Sequence, residues 1–194
     1  MQQVTKAHKN KWGSYKDRDN SYDDAQDILL FAQLVSNTPD LKDYIRSYLP
    51  KGEFTFRKHP YGDCGVDLAL LNDNKEVVAT FDVERSKEWR EEWPWYYKWI
   101  HFLGRKEKFL DDNFFMVYFN YNRTKVIIVD NKTIQPYPTI NKFFKAKNVW
   151  DWVKEIPMNK GRIYGKGITD KEKMLFCGNK THNIPRNPMI PQKQ

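Results

Sequence analysis

The stretch GVDLALLNDNKEVVATFDVERSKEW, residues 65–89, decides the fold predicted for this 194-residue chain. It holds two mainly apolar segments, each with a strand-like alternation, on either side of the turn-forming residues 72–75. Three carboxylates, Asp67, Asp82 and Glu84, lie inside those segments, where burial is expected. Because an ionised carboxylate is costly to bury without a partner charge, the stretch predicts a β-hairpin that carries a charged site.

The predicted pairing of this hairpin brings the three carboxylates together. Side chains alternate between the two faces of a strand, so Asp82 and Glu84 share one face. In the simplest register Asp67 of the first strand comes beside both of them. A hard divalent cation, Mg²⁺ or Mn²⁺, neutralises such a cluster. The alternative is a solvated outer face on which the acids pair with Lys and Arg, although Ala69 and Thr80 make the face largely apolar.

Helices and strands alternate on both sides of the hairpin. A helix is predicted to begin at the N-cap residue Ser21, and a short second helix begins at Pro39. Strands are predicted at residues 52–59, 64–71, 76–86, 114–121 and 125–130. A Trp-rich helix is predicted from Pro94 to Leu110, and a short helix or irregular segment, with an edge strand, after residue 139. This order predicts an α/β domain with a central mixed sheet flanked by helices.

The two ends of the chain differ in composition from its centre. Residues 1–20 are polar and basic, which is typical of a flexible arm. Residues 157–194 combine Pro, Gly and an excess of Lys and Arg, which predicts an extended basic C-terminal segment. The core domain is therefore predicted at residues 21–156.

Charge and cysteine content bound the partners and the compartment. Lys and Arg outnumber Asp and Glu by 33 to 25, a net charge of +8 that favours a polyanionic partner without identifying it. Aromatic residues make up 15% of the chain, so some are expected at the surface, where they stack on bases or cover a small core. The N-terminus has no signal-peptide pattern, no run of about 18 apolar residues occurs, and two distant cysteines favour a reducing compartment. A cytoplasmic protein without a membrane partner is expected.

The predicted order of elements and the acidic pattern resemble the PD-(D/E)XK nuclease superfamily. Its core is a helix, three antiparallel strands, a helix and two more strands, with an Asp on the first hairpin strand and a (D/E)-x-K motif on the second. The match runs over residues 21–130, a little over half of the chain. The resemblance implies a restriction-endonuclease-like fold and Mg²⁺-dependent hydrolysis of DNA phosphodiester bonds, and a homodimer is a candidate assembly.

The resemblance implies roles for the matched positions only. Asp67 matches the superfamily's Asp, Asp82 matches the first acid of the motif, and the three carboxylates are the expected metal ligands. Glu84 stands where Lys is usual, as in some restriction enzymes of the superfamily. In a second alignment Glu84 is the motif acid and Ser86 takes the Lys position. Lys87 is the candidate for the positive charge near the scissile phosphate.

Basic residues near the acids are the candidate DNA contacts. They are Arg85 and, on the predicted Trp-rich helix, Lys98, His101, Arg105 and Lys106. The alternative for that helix is a solvated face over an aromatic core.

Two further residues are candidates for the catalytic site. The superfamily often adds an acid from the first helix, where Asp24 and Asp27 are the options, although Asp24 also suits a capping role. His59, at the end of a predicted strand, is a candidate proton shuttle or phosphate contact, or else a surface residue.

Two other functions fit the same sequence. A catalytically inactive protein with this core would hold nucleic acid through its basic segments, and the missing motif Lys favours it. A viral or phage interaction protein would use its aromatic residues at a protein interface. In both alternatives the three acids have no catalytic role.

Overall fold

Two β-sheets, one of six strands and one of three, form the body of the molecule. The structure, a computed structural model, describes residues 20–58, 66–110, 113–145 and 148–176, without the side chains of residues 20–25 and 58. The helices are α1 (Asn20–Asn37), α2 (Pro39–Arg46), α3 (Asn131–Ile134) and α4 (Asp170–Phe176). The strands are β1 (Thr55–Lys58), β2 (Leu68–Leu71), β3 (Val77–Arg85), β4 (Trp99–Leu103), β5 (Phe114–Phe119), β6 (Lys125–Asp130), β7 (Thr139–Phe144), β8 (Val149–Pro157) and β9 (Arg162–Gly165).

The larger sheet has the strand order β1-β2-β3-β5-β6-β9. Its β3 and β5 are parallel, and every other neighbouring pair is antiparallel. The smaller sheet, in the order β4-β8-β7, is antiparallel throughout. The fold is therefore mixed α/β with a mostly antiparallel sheet flanked by helices, which confirms the predicted class in this general form. Because parallel neighbours need a crossover, the chain between β3 and β5 leaves the sheet and forms β4.

The larger sheet buries both of its faces. On one face Phe81 packs against Phe31 of α1, with ring centroids 5.4 Å apart. On the other face Phe114 packs against Phe102 of the smaller sheet, with centroids 5.8 Å apart. Asp82 follows Phe81 on β3 and therefore lies on the second face, toward the smaller sheet. The predicted acidic site is thus covered by β4 and the segment that follows it.

The predicted helix from Pro94 to Leu110 is wrong. The structure has turns up to residue 98, then β4, then a 3-10 turn over Gly104–Phe109. Ile100 and Phe102 are buried while Trp99 is exposed, which is the period of a strand. Pairing with β8 stabilises this strand, and the Trp, Ile and Phe side chains suit a pleated sheet.

A β-hairpin formed by β7 and β8 replaces the short helix or irregular segment predicted after residue 139. Its pairs join residues up to fifteen positions apart, such as Thr139 with Lys154. Asn148 has a φ of 51°, a left-handed conformation that Asn adopts more readily than most residues. The turn chemistry and the cross-strand pairing together favour the hairpin over a helix.

The folded body extends past the predicted boundary at residue 156. Strand β9 pairs with β6 in the larger sheet, and Phe176 of α4 packs edge-on against Trp93 with centroids 5.1 Å apart. Residues 157–176 therefore belong to the fold and not to the predicted basic extension. Residues 1–19 and 177–194 lie outside the described residues. Within the described ranges, no helix has the length and apolar character needed to cross a bilayer.

Gly165 at the end of β9 is expected to tolerate no side chain. Its φ is 130°, and a Cβ built there lies 2.2 Å from the carbonyl oxygen of Thr124 and 2.7 Å from the Cα of Lys125. Because both contacts are backbone atoms, Gly165→Ala is expected to lower the free energy of unfolding by about 2–3 kcal/mol. Urea denaturation measures the change.

Gly167→Ala is the matched control for this substitution. Gly167 also has a positive φ, of 68°, but no atom lies within 4 Å of its built Cβ. The control variant is expected to lose about 1 kcal/mol from the backbone conformation alone. Equal losses in the two variants would show that the contact with Thr124 does not limit the site.

Candidate functional site

The β2–β3 hairpin brings Asp67 beside Asp82. The pairs Leu68–Phe81 and Ala69–Thr80 set the register, and Asp67 directly precedes the first of them. The Asp67 amide donates to the Phe81 carbonyl at 2.9 Å, and its Oδ2 accepts from the Val83 amide at 2.7 Å. The β-bulge of this hairpin lies between Leu70 and Leu71, away from the acids. The predicted β2–β3 hairpin is therefore present, and Asp67 is held by two hydrogen bonds against the backbone of Phe81 and Val83, on either side of Asp82.

Lys106 links the two acids of β3. Its Nζ lies 2.5 Å from Oδ2 of Asp82 and 2.5 Å from Oε1 of Glu84. Asp82 is only 2% exposed and Lys106 only 5%, whereas Glu84 is partly exposed. The 3-10 turn after β4 directs this lysine inward, while Arg105 and Lys108 of the same turn are exposed. Lys106 therefore does not lie on the surface of a helix, as the sequence predicted, but on a 3-10 turn with its ammonium buried against the acids.

Burial and neighbouring charges set the ionisation of this group. Burial raises the pKa of Asp82 to about 7; Lys106 opposes the rise, and Glu84 and Asp67 add to it. Burial by itself would lower the pKa of Lys106, but Glu84 and Asp82 outweigh it and the pKa is raised. Lys106 therefore keeps its charge, and the three carboxylates exceed its single positive charge when all are ionised.

Two hydroxyl groups flank the acids on the same face of the sheet. Thr80 precedes Asp82 by two residues, and among the described residues its buried hydroxyl has no hydrogen-bond partner. Tyr118 of β5 pairs with Glu84 across the parallel strands. Burial, and then the charge of Glu84, raises the pKa of Tyr118 to about 12, so its hydroxyl stays protonated at neutral pH. The polar groups that flank the acids thus include these two hydroxyls and one ammonium, beside the buried Met116, which pairs with Asp82 on β5.

The carboxylate oxygens of Asp82 and Glu84 are ligands of the kind that a hard divalent cation prefers. The Lys106 Nζ marks a point where a positive charge lies 2.5 Å from one oxygen of each β3 acid, and Mg²⁺ and Ca²⁺ take oxygen ligands at roughly 2.0–2.6 Å. Asp82 and Glu84 fit such an ion, with Asp67 adjacent and Lys106 moved aside. As the side chains stand, no group of three or more His, Cys, Asp or Glu residues in the described ranges forms a ligand shell.

Other predicted site residues lie apart from the acids. Lys87 is exposed beyond the end of β3, so Lys106, and not Lys87, is the ammonium within hydrogen-bond distance of Asp82. Arg85 lies on the α1 side of the sheet, 3.8 Å from the buried Asp27. Asp27 also pairs with Arg123, and so belongs to that face. The side chain of Asp24 and all of His59 lie outside the described residues.

The basic helix face predicted for DNA binding does not form. His101 lies on β4, with its Nε2 3.3 Å from Glu155 Oε1 and 3.1 Å from Lys142 Nζ. Burial and then Lys142 lower the pKa of His101, although Glu155 opposes the shift. Lys98 and Arg105 are exposed at opposite ends of β4 and do not share a helical face with His101. The sequence spacing that would place Lys98, His101 and Arg105 on one face of a helix does not bring them together on a strand.

Two structural features near the site are absent from the sequence prediction. Lys106 reaches the acids only because the smaller sheet covers them, and no local pattern signals that. Glu172 is buried and forms hydrogen bonds with Thr169, and the T-x-x-E spacing of these two residues in the sequence is a capping-box signature.

Comparison with protein-family models, with curated proteins and with solved structures finds no match to this chain. The chain's own residues are therefore the basis for any functional inference.

Proposed function

We propose that this chain is a metal-dependent endonuclease that hydrolyses DNA phosphodiester bonds with a site of the PD-(D/E)XK type. One observation carries the proposal: the Lys106 Nζ lies 2.5 Å from both Asp82 and Glu84 on the hairpin strand beside Asp67. An acid on one strand, two on the next and a lysine against them are the chemical groups of that superfamily's site. Lys106 supplies from another element the charge that the motif position, occupied by Glu84, lacks.

The order of elements also supports a restriction-endonuclease-like core. Helix α1 is followed by the antiparallel strands β1, β2 and β3, by a crossover to the parallel β5, and by the antiparallel β6. The crossover contains β4 and a 3-10 turn where the superfamily has a helix. This substitution is what allows Lys106 to approach the acids from the covering layer.

The protein's side chains would act on the substrate in two ways. Asp82 and Glu84 would hold a Mg²⁺ or Mn²⁺ ion, which when bound supplies Lewis-acid stabilisation of the phosphate charge. Lys106, kept protonated by the neighbouring acids, would donate a hydrogen bond to a phosphate oxygen and stabilise the negative charge of the transition state. The buried position of Asp82 excludes bulk water, which strengthens both interactions.

A nucleic-acid-binding protein without catalysis is the second candidate. The Lys106 ammonium already neutralises Asp82 and Glu84, so the group is stable without a cation. In that case the acids and the lysine form a structural ion-pair network, and the net charge of +8 accounts for binding.

The two candidates differ in metal-dependent cleavage. Supercoiled plasmid and single-stranded DNA are incubated with the protein in Mg²⁺, Mn²⁺ or EDTA, and products are resolved on gels. Cleavage is expected only with a metal, and Asp82→Asn is expected to reduce it by about 100-fold. The variant keeps the fold, because burial already favours a neutral side chain at this position, and circular dichroism checks this.

Asp73→Asn is the matched control. Asp73 is an exposed acid in the turn of the same hairpin, so its loss is expected to leave cleavage unchanged. Salt-sensitive retardation of DNA without cleavage would favour the binding protein. Neither cleavage nor retardation would contradict both candidates and favour an interaction protein.

A further inference from the structure

The β7–β8 hairpin presents three exposed aromatic rings on one face. Trp150 pairs with Phe143 across the hairpin, and Trp152 lies two residues along on the same face. Trp150 is 63% exposed, Trp152 57% and Phe143 41%. The rings of Phe143 and Trp150 are 5.4 Å apart and inclined by 46°, so they contact each other and form a joint aromatic platform. These three residues are called the aromatic face below.

The aromatic face continues from the buried core of the smaller sheet. Ile156 lies on the same face of β8 and is fully buried against β4. Strand β4 ends at Leu103, opposite Val153, so Trp152 and Trp150 lie past the end of the neighbouring strand. These rings are therefore exposed because β4 ends before it reaches them, and no other strand of the described chain takes its place.

The aromatic face is attached to the carboxylate site through one turn. A Cβ built on Gly104 lies 3.0 Å from the Cβ of Trp152, so the chain passes directly against that residue. Gly104 is two residues from Lys106, a separation of at most about 7 Å. Thr139 Oγ1 donates to Glu107 at 2.6 Å and Lys154 contacts the same carboxylate at 2.8 Å, which fixes the base of the hairpin to the turn.

The fully exposed charges around the aromatic face are mostly basic, although Asp151, on the opposite face of β8 between Trp150 and Trp152, is partly exposed. Arg105 and Lys108 are exposed on the turn against which Trp152 packs, and Lys145 is exposed at the tip of the hairpin. The acid of that turn, Glu107, is already paired with Lys154. Flat rings bordered by cations suit an unpaired nucleic-acid strand, whose bases stack on aromatic side chains while its phosphates meet Lys and Arg. A duplex hides the faces of its bases and offers no such stacking.

We propose that the aromatic face binds unpaired bases of a nucleic-acid strand and leads that strand to Asp82, Glu84 and Lys106. The proposal rests on the proposed function for its location and extends it to a substrate class, single-stranded or locally unpaired nucleic acid. One base stacks on the exposed surface of the platform formed by Trp150 and Phe143, and Trp152 stacks on the next base toward the carboxylates.

Binding is measured in EDTA, so that the result does not depend on cleavage. The anisotropy of a fluorescent oligothymidine reports affinity for the wild-type protein and for the double variant Trp150→Ala, Trp152→Ala. Each ring is expected to contribute roughly 10-fold, so the double variant binds about 100-fold more weakly. A labelled duplex of the same length is expected to bind the wild type at least 10-fold more weakly than the single strand.

Two controls separate stacking from folding and from general charge. Trp95 is 79% exposed on another segment, and Trp95→Ala is expected to bind the oligonucleotide like the wild type. The variant Trp150→Phe, Trp152→Phe keeps flat rings and is expected to recover most of the affinity lost with Ala, which a folding defect does not explain.

Three results would overturn the proposal. They are unchanged single-strand affinity in the Ala double variant, equal weakening for single strand and duplex, and an oligomer of the wild type that dissociates in the variant without any strand binding. Failure of the nuclease proposal is distinguishable from these, because a protein that binds the single strand through Trp150 and Trp152 but cleaves nothing upholds only the present inference. If the protein cleaves duplex DNA and the Trp substitutions change neither binding nor cleavage, the nuclease proposal stands and the present inference fails.

Discussion

Lys106→Met is expected to lower the rate of DNA cleavage by roughly 1,000-fold. It is also expected to increase the rise in melting temperature that Mn²⁺ produces. The variant removes the ammonium that lies 2.5 Å from Asp82 and Glu84 and keeps an apolar side chain of similar length. Loss of one charge contact to a transition state typically costs 10²–10³ in rate, roughly the size expected here. The acids then lack their internal counterion, so a divalent cation no longer competes with the lysine ammonium for the carboxylates. Single-turnover cleavage and the thermal shift in Mn²⁺ measure the two effects.

Lys42→Met is the control for the lysine substitution. Lys42 is exposed on α2, which packs on the Phe81 face of the larger sheet and not on the face of the acids, so its variant is expected to cleave DNA like the wild type. Without Lys106, Asp82 takes up a proton more readily, since burial already raises its pKa to about 7, and the fold is expected to survive. Undiminished cleavage by Lys106→Met would remove the lysine from the proposed site. If the wild-type protein neither cleaves DNA nor binds a divalent metal, Asp82, Glu84 and Lys106 form only a structural ion-pair network.

Glu172→Ala is expected to lower the free energy of unfolding by about 3–5 kcal/mol, the typical result of removing one partner of a buried ion pair. The side chain is buried on α4. Its Oε2 accepts from Lys125 Nζ at 2.7 Å and from the Thr169 amide at 3.1 Å. Its Oε1 accepts from Trp89 Nε1 at 3.0 Å and from the Trp93 amide at 3.1 Å. The Ala variant leaves Lys125 charged and buried without its carboxylate, and urea denaturation measures the loss.

The same carboxylate predicts the direction of the pH dependence. Burial by itself would raise the pKa of Glu172, but hydrogen bonds from Lys125, Thr169 and Trp89 outweigh it and hold the pKa below the ordinary value of 4.5. A depressed pKa in the folded state stabilises the fold above the unfolded-state value, and this stability is lost as the pH falls through the folded-state value. The stability difference between wild type and Glu172→Ala is therefore expected to be full at pH 7 and to shrink below about pH 4.5.

Asp170→Asn is the control for the pH experiment. Asp170 lies in the first turn of the same helix but is exposed and pairs only with the exposed Lys173 among the described residues. Its loss is expected to change the free energy of unfolding by less than about 0.5 kcal/mol. A Glu172→Ala defect of the same size at pH 3 and pH 7 would contradict the ionised pairing with Lys125.

The elements that the sequence predicted are those whose signals are local. The β2–β3 hairpin, α1, α2, β5 and β6 all have their own periodicity, turn residues or caps, and the structure contains each of them. The segment from Pro94 to Leu110 is different, because its aromatic residues fit either a helix or a strand. What decides is the pairing of Ile100 with Ile156, more than fifty residues further along the chain. A pattern within one short window cannot contain that information.

The candidate site also has a part that the sequence predicted and a part that it did not predict. The approach of Asp67 to Asp82 follows from the β2–β3 hairpin, whose turn residues and side-chain alternation are readable in residues 65–89. Lys87 is the lysine nearest in sequence, but it lies beyond the end of β3 and is exposed. Lys106 depends on the packing of one sheet over another, which alternation within a strand does not predict.

The place of β4 at the edge of the smaller sheet has a consequence during synthesis of the protein. In the described part of the chain β4 pairs with β8 and with no other strand, and β8 is translated later than every residue of the acidic hairpin. A nascent chain that ends before β8 can form the hairpin but has nothing to hold Lys106 against it. The acids therefore meet a firmly held counterion only after β8 has been translated and has paired with β4.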